Sequence, residues 1–316
     1  MTRNYRYKEI HLAQLRNFCV AATEHNFTTA AGLLGLSVPT VWEQVRALER
    51  RLGAPLLRRQ GREIELTDAG RLLLELIHPC VSGLDSLERV FAARLTGLPQ
   101  SLTVISTPFL LAHHLVGPVR EFTAAHPTVR LSLRADVHSA DSVRLVEQGK
   151  AELLIAPFLR DQPRSPLLEY EELFGLPLML LTAAGHPLAR KKKISAHDLV
   201  RYPIIATPKD SCARMALERI LQRQGLQDQW HEIIENANTD VVCKYVAAGV
   251  GIALMYAGGE DFLTMPGIAA RVFEPRQDTL AVALVVCKGA YLSRPAQEFQ
   301  QTVRRCLSGN GPSSGR

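Results

Sequence analysis

Residues 27–46 leave the chain little conformational freedom. Phe27-Thr28-Thr29-Ala30-Ala31-Gly32-Leu33-Leu34 reads as one short helix, Gly35 ends it, and Ser37 opens a second helix with Pro39 in its first turn. Glycine suits the left-handed residue that closes a helix, and serine suits the N-cap of the next one. Proline in a first turn costs little, because the N–H it lacks would have no helical partner there. Thr28 is expected to cap the first of the two helices. Val38, Val41, Val45 and Leu48 are expected to form the buried stripe of the second. Ala30 and Ala31 are small, as a close helix crossing requires. This is the pattern of a helix-turn-helix, whose second helix enters the major groove of DNA with its first residues at base edges.

The flanking residues extend the unit. Leu12, Leu15, Phe18, Cys19 and Ala22 recur at helical spacing upstream. Downstream, Arg58-Arg59-Gln60-Gly61-Arg62-Glu63-Ile64-Glu65-Leu66 alternates like a small hairpin around Gly61. Residues 10–67 therefore read as a winged helix-turn-helix domain. Its candidate DNA-facing residues on the helices are Thr28, Ser37, Pro39, Thr40, Glu43, Gln44 and Arg46. Gln44 can read adenine, Arg46 can read guanine or bind phosphate, and the Thr40 methyl can meet a thymine methyl. Arg58, Arg59 and Arg62 cluster on the wing, where they would neutralise phosphates and fix register.

Charge placement agrees. The chain carries +6, and residues 1–67 hold ten Lys/Arg against six Asp/Glu, so most of the excess sits at this end. A basic end on a nearly neutral body suits a polyanion such as double-stranded DNA. No apolar run approaches the roughly 18–20 residues that cross a bilayer, and the first residues lack a secretion signal. A cytoplasmic protein with no membrane partner is expected. The six cysteines are scattered without a C-x-x-C pair, as reduced, buried thiols would be.

Thr67-Asp68 caps a long helix, read over 68–97 as a linker helix. Leu73, Ile77, Cys80, Leu84, Leu87 and Phe91 alternate spacings of 4 and 3, a heptad seam for pairing with a second copy. Pro79 inside it should kink the helix or remove a hydrogen bond. Gly97-Leu98-Pro99-Gln100 is a turn and the main domain boundary. Beyond it strands and helices alternate from Leu102 to about residue 307, and one helix is expected over about 109–126. The order argues for parallel strands with helices on their faces. The tail 308–316 is Gly/Ser-rich and reads as disordered.

Residues 10–74 resemble the DNA-binding domain of LysR-type transcriptional regulators. The matching run is Leu12, Gln14-Leu15, Phe18, Phe27-Thr28-Thr29-Ala30-Ala31, Leu34, Ser37, Pro39-Thr40-Val41, Val45, Leu48-Glu49, Leu52-Gly53, Pro55-Leu56-Leu57-Arg58-Arg59, Gly61-Arg62 and Leu66-Thr67-Asp68-Ala69-Gly70. Three positions depart from the pattern: Val38 stands where the family often has Gln, Trp42 where it often has Ser, and Leu57 where it usually has Phe. That Gln and Ser often face DNA. Trp42 either packs on the preceding helix or leans on the sugar-phosphate backbone.

The resemblance implies the overall fold class: an N-terminal all-α winged helix-turn-helix with a linker helix, then an α/β two-lobed, periplasmic-binding-protein-like effector domain over 98–307. Lobe I would take about 98–167 and 268–307, and lobe II about 168–267. It also implies a homodimer or homotetramer, with RNA polymerase as a further partner. Effectors would sit between the lobes, where strand ends lead into helices. The resemblance puts Ser106, Thr107, Pro108, Ser139, Thr207, Asn238 and Thr239 there. Free N–H groups at helix starts suit a small anion. No cofactor or metal is expected.

The rivals are an enzyme or a solute-binding protein on the same two-lobed fold, with a helical interaction module. No G-x-S-x-G, P-loop or H-E-x-x-H motif supports the enzyme. The missing signal argues against the exported binder.

Overall fold

Three helices form first along the chain: α1 (Leu12–Glu24), α2 (Phe27–Leu34) and α3 (Val38–Leu52). The computed structural model describes residues 10–60, 63–96, 101–136, 139–258, 265–273 and 280–307, without the side chains of Arg59, Gln60, Glu63, Arg89, Thr96, Ser139 and Ala140. Arg62, the turn 97–100 and the tail 308–316 therefore lie outside the described residues, as do the side chains of Arg59 and Ser139.

Two expectations for the head are corrected. Asn26, not Thr28, caps α2: its Oδ1 accepts the N–H groups of Thr28 at 2.8 Å and Thr29 at 3.2 Å. Asn and Asp are stronger caps than Thr, and Asn26 stands where the chain leaves the α1–α2 turn, so Thr28 becomes a first-turn residue. Val38 is not buried; it is 38% exposed, while Val41, Val45 and Leu48 are at most 2% exposed. At 100° per residue the packed face of α3 is centred near Val41 and Val45, and Val38 falls on its flank. Ser37 caps α3 as expected, and Gly35 turns the chain at φ 64°.

The wing is an antiparallel hairpin, β1 (Leu57–Gln60) with β2 (Glu63–Leu66). Helix α4 (Asp68–Thr96) follows. Thr67 Oγ1 accepts the Gly70 N–H at 3.0 Å and donates to the Pro55 carbonyl at 2.7 Å. A Cβ on Gly70 would lie 2.0 Å from the Leu56 carbonyl oxygen, so only glycine lets α4 start against the base of the wing.

The remainder forms two α/β lobes. Lobe I holds β3 (Ser101–Ser106), α5 (Pro108–His113), α6 (Val116–Ala125), β4 (Arg130–Ala135), α7 (Ser139–Glu147), β5 (Leu153–Phe158) and β6 (Leu168–Leu176). Lobe II holds β7 (Leu178–Ala183), α8 (Pro187–Arg190), α9 (Ala196–Leu199), β8 (Pro203–Ala206), α10 (Cys212–Arg223), β9 (His231–Glu235), α11 (Thr239–Ala247), β10 (Ala253–Tyr256) and β11 (Ile268–Val272). The chain then returns to lobe I as β12 (Leu280–Cys287) and α12 (Arg294–Leu307).

The lobe I sheet runs β4-β3-β5-β12-β6. Its β-α-β crossovers make β3 parallel to β4 and β5, as alternation predicts. The returning strand β12 is antiparallel to both β5 and β6. In lobe II, β7 is flanked antiparallel by β10 and β11, β8 pairs parallel with β9, and a bridge from Ile204 to Ile252 joins the two groups. The core of lobe I includes Leu102, Ile155, Phe122 and Phe299, the last two meeting edge-on at 5.2 Å.

The single helix expected over about 109–126 is two, broken at His114-Leu115. Pro118 is the cause: it has no N–H for the His114 carbonyl, and its ring crowds that oxygen. The Leu115 N–H instead bonds back to the Leu110 carbonyl at 2.9 Å.

Helix α4 also packs on lobe I. Ser86 Oγ accepts the Tyr291 N–H at 2.8 Å, and Cys287 Sγ lies 3.4 Å from Ser82 Oγ. At Gly289, whose φ is 74°, an added Cβ would fall 2.3 Å from the Pro79 carbonyl oxygen, and at Gly83 it would fall 3.0 Å from the Gly289 carbonyl oxygen. Main chain therefore touches main chain. The head reaches the same lobe through Gln148 Nε2, which donates to Glu24 Oε1 at 2.5 Å. Among the described residues no helix is long and apolar enough to cross a membrane.

Candidate DNA-reading surface and effector cleft

Helix α3 lies with Val41, Val45 and Leu48 against α1 and α2, which leaves Pro39, Thr40, Glu43 and Arg46 exposed and Gln44 partly so. Ser37 Oγ accepts the Thr40 N–H at 3.3 Å and pairs with Thr40 Oγ1 at 2.8 Å, which fixes the first turn. Thr28 is exposed on the first turn of α2.

Trp42 answers the question its sequence position posed: its ring packs edge-on against Phe27, the first residue of α2, at 5.1 Å. The Arg46 guanidinium carbon stands 4.4 Å from the Trp42 ring centroid, a cation–π contact. Arg46 Nη1 also donates to Glu49 Oε2 at 2.9 Å. Glu49 is only 7% exposed, and its other oxygen accepts the N–H groups of Leu56 at 2.8 Å and Leu57 at 3.2 Å. One carboxylate thus ties the recognition helix to the start of the wing, and hydrogen bonding to charge makes the tie strong. On the wing, Arg58 is exposed and pairs with Glu65 across the two strands at 2.6 Å.

Between the lobes lies a cavity of about 150 Å³. Lobe I contributes Ser106, Thr107, Pro108, Phe109 and the Asp136–Ser142 pair, whose hydroxyl donates at 2.7 Å. Lobe II contributes Asp210, Ser211 and Cys212 at the start of α10, Thr239 at the start of α11, and Tyr256. The structure therefore brings together Ser106, Thr107, Pro108 and Thr239 of the expected residues. Thr207 and Asn238 stand beside the cavity without lining it, because both serve its walls. Thr207 Oγ1 bonds Ser211 Oγ at 2.5 Å, and Asn238 Oδ1 caps α11 by accepting the Asp240 N–H at 2.9 Å and the Val241 N–H at 3.3 Å. Ser106 is 1% exposed, and its hydroxyl donates to the Ile155 carbonyl at 2.6 Å, which fastens β3 to β5. Burial pushes the Cys212 thiol up to about 11, so it stays protonated at neutral pH.

Comparison with known families decides the assignment. Residues 12–71 match the model of the bacterial regulatory helix-turn-helix protein, lysR family, and residues 96–307 match the LysR substrate binding domain. The chain belongs to the LysR family.

It is a LysR-type, DNA-binding transcription regulator with an effector-binding domain. The transcriptional activator CmpR of Synechocystis is 30% identical over 251 residues, covering 78% of this chain and 79% of that one. The SDS degradation transcriptional activation protein of a Pseudomonas strain is 32% identical over 256 residues, covering 75% and 82%. Among solved structures, the LysR regulator HinK from Pseudomonas aeruginosa matches with a TM-score of 0.56 at 19% identity, covering 95% of this chain and 99% of that one. Full-length CbnR in complex with its target DNA matches with a TM-score of 0.52 at 22% identity, covering 94% and 99%. These two likenesses establish the fold.

In this LysR chain, sequence reasoning missed Val38 as an outward residue and Phe109, Asp136, Ser142, Asp210, Ser211, Cys212 and Tyr256 as cleft residues. Asp136 carried a usable signal, since it follows directly on the end of β4, where α/β sheets place their ligands. Phe109 and Tyr256 carried none, because an aromatic residue at a cleft and one in a core look alike in sequence.

Proposed function

We propose that the regulator is switched by a small molecule held in the cavity between the lobes, and that it acts by binding alone, without chemical turnover or a cofactor. The observation that carries this is the convergence of the α10 and α11 starts with the Thr107 loop on one 150 Å³ space. Amide groups at those helix starts suit a carboxylate or oxyanion, and the carboxylates of Asp136 and Asp210 suit hydroxyl or amino groups on the same molecule. A ligand touching both lobes binds one lobe arrangement better than another, and that difference alone can shift the arrangement of DNA heads.

The heads reach DNA as a homodimer or homotetramer in the cytoplasm, with α3 in the major groove, Thr40, Glu43, Gln44 and Arg46 facing it, and Arg58, Arg59 and Arg62 on phosphates. Contact with RNA polymerase is the onward step. Pairing is supported by α4, whose Leu84, Leu87 and Phe91 are 42%, 44% and 61% exposed.

The test is calorimetric titration of small hydroxylated carboxylates, with footprinting of the same samples. A binder that changes the footprint, and is lost in Thr107→Val while DNA affinity stays, is the expected result. A binder that ignores Thr107→Val and Thr239→Val would remove the cleft from the proposal.

A further inference from the structure

A second cavity, of about 370 Å³, opens where the head, the linker helix α4 and lobe I meet. It has more than twice the volume of the cleft between the lobes and shares no residue with it. A space of this size suits a small molecule. Its apolar lining comes from all three units: Val20, Leu33 and Leu34 from the head, Val81 from α4, and Leu292 from lobe I. Leu33 and Tyr291, which also line it, are 53% and 55% exposed, so apolar surface there stands open rather than packed.

The charge around this space is unbalanced. Glu24, Asp85, Glu147 and Glu152 line it against Arg16 and Lys150. Arg16 is spent on Asp85, and Glu152 accepts from the Ser293 N–H at 2.7 Å and the Ser293 hydroxyl at 2.8 Å. Glu24 and Glu147 hold neutral partners instead: Gln148 Nε2 donates to Glu24 Oε1 at 2.5 Å, and Ser165 Oγ donates to Glu147 Oε1. Among the described residues neither carboxylate joins an ion pair. His78 does not supply the missing charge, because burial pushes its imidazole pKa below the ordinary value and keeps it neutral at neutral pH.

An acidic cavity with apolar walls fits a cationic nitrogen on an apolar body. A carboxylate ligand would meet Glu24 and Glu147 with like charge. A neutral one would forgo the charge-assisted hydrogen bonds that a carboxylate offers an ammonium group.

We propose that this cavity is a second small-molecule site, taking an organic amine whose charge is answered by Glu24 and Glu147 and whose apolar body packs on Val20, Leu34 and Val81. Glu24 belongs to the head and Glu147 to lobe I, so the amine is held only while the head rests on that lobe, and its binding favours that arrangement.

The test uses the full-length protein with phenylbutylamine, phenylbutanol and phenylbutyrate, which share one apolar body and differ in the head group. Each is titrated calorimetrically into the millimolar range at low salt. The amine is expected to bind at least about fivefold tighter than the other two. The double variant Glu24→Gln with Glu147→Gln keeps an oxygen for Gln148 and for Ser165 and removes only the charges. It is expected to weaken amine binding by at least about fivefold, while Thr107→Val in the cleft leaves that binding unchanged. The comparison of the three probes needs no variant, so a poorly folded double variant leaves the inference exposed to refutation. No amine binding, an amine advantage or double-variant loss smaller than that, or a loss in Thr107→Val overturns the inference, while the cleft and the DNA-reading role stand.

Discussion

Arg46 sits over the indole ring of Trp42, 4.4 Å from its centroid. Its guanidinium is committed on a second side as well, to the nearly buried carboxylate of Glu49. Only Nη1 is spent on Glu49, so the Nε–Nη2 edge stays available for a two-point contact with guanine or phosphate. Arg46 is therefore expected to brace the helix through Glu49 and to meet DNA through that remaining edge.

Glu49→Ala should cost about 2–4 kcal/mol of head stability, because it leaves the Leu56 and Leu57 N–H groups buried without an acceptor. Arg46→Ala should cost about 1 kcal/mol, since those two bonds survive. The double variant should be no less stable than Glu49→Ala. Chemical denaturation of the four proteins checks this, and a double variant clearly worse than Glu49→Ala would show that Arg46 acts through something else.

The wing pair offers a prediction with two signs. Arg58→Ala should weaken binding to all duplexes and reduce the slope of log affinity against log salt by about one. Glu65→Gln should do the opposite, since it removes a negative charge beside the phosphates and releases Arg58. Fluorescence anisotropy across a salt series measures both. Equal slopes in all three proteins would take Arg58 off the phosphate.

Leu84, Leu87 and Phe91 stand exposed at successive seam positions of α4. Leu84→Glu with Phe91→Glu should shift the protein to monomers in sedimentation at micromolar concentration and leave its helical content unchanged. An unchanged assembly would place the subunit contact elsewhere.

Lobe II should show a defined acid sensitivity. Burial alone would raise the Asp198 pKa, but Lys191 and the N–H and hydroxyl of Ser195 outweigh it and hold the group at about 2, against an ordinary 3.8. The folded protein therefore binds this proton less readily than the unfolded chain. The stabilisation is complete above the ordinary value and is lost as pH falls toward 2. Asp198→Asn should lower the melting temperature at neutral pH and flatten its fall in that window. A parallel fall in both proteins would show that other carboxylates set the acid limit.

Much of this fold is legible in the sequence because its cues are local. Gly35, Ser37 and Pro39 announce a turn and a helix start within five residues, and the β12 run from Leu280 to Cys287 is apolar enough to read as a buried strand. The misreadings arise where two local cues compete. Thr28 and Asn26 are both capping residues, and the better cap won. Val38 continues a stripe that the neighbouring helices do not reach, so its exposure depends on how α2 crosses α3. Pro118 was visible, yet its effect falls four residues upstream, on the His114 carbonyl. Thr207 and Asn238 show the limit of reading hydroxyl and amide residues at strand ends, because each is spent on a wall of the cleft.

The contact of Gly289 with Pro79 brings main chain directly against main chain where the long helix meets the body. Side chains can absorb a displacement by changing rotamer; peptide planes cannot. Any rotation of the body must then reach the helix at full amplitude, as between meshed gears, and a single methyl inserted at Gly289 would act as a wedge that disengages them.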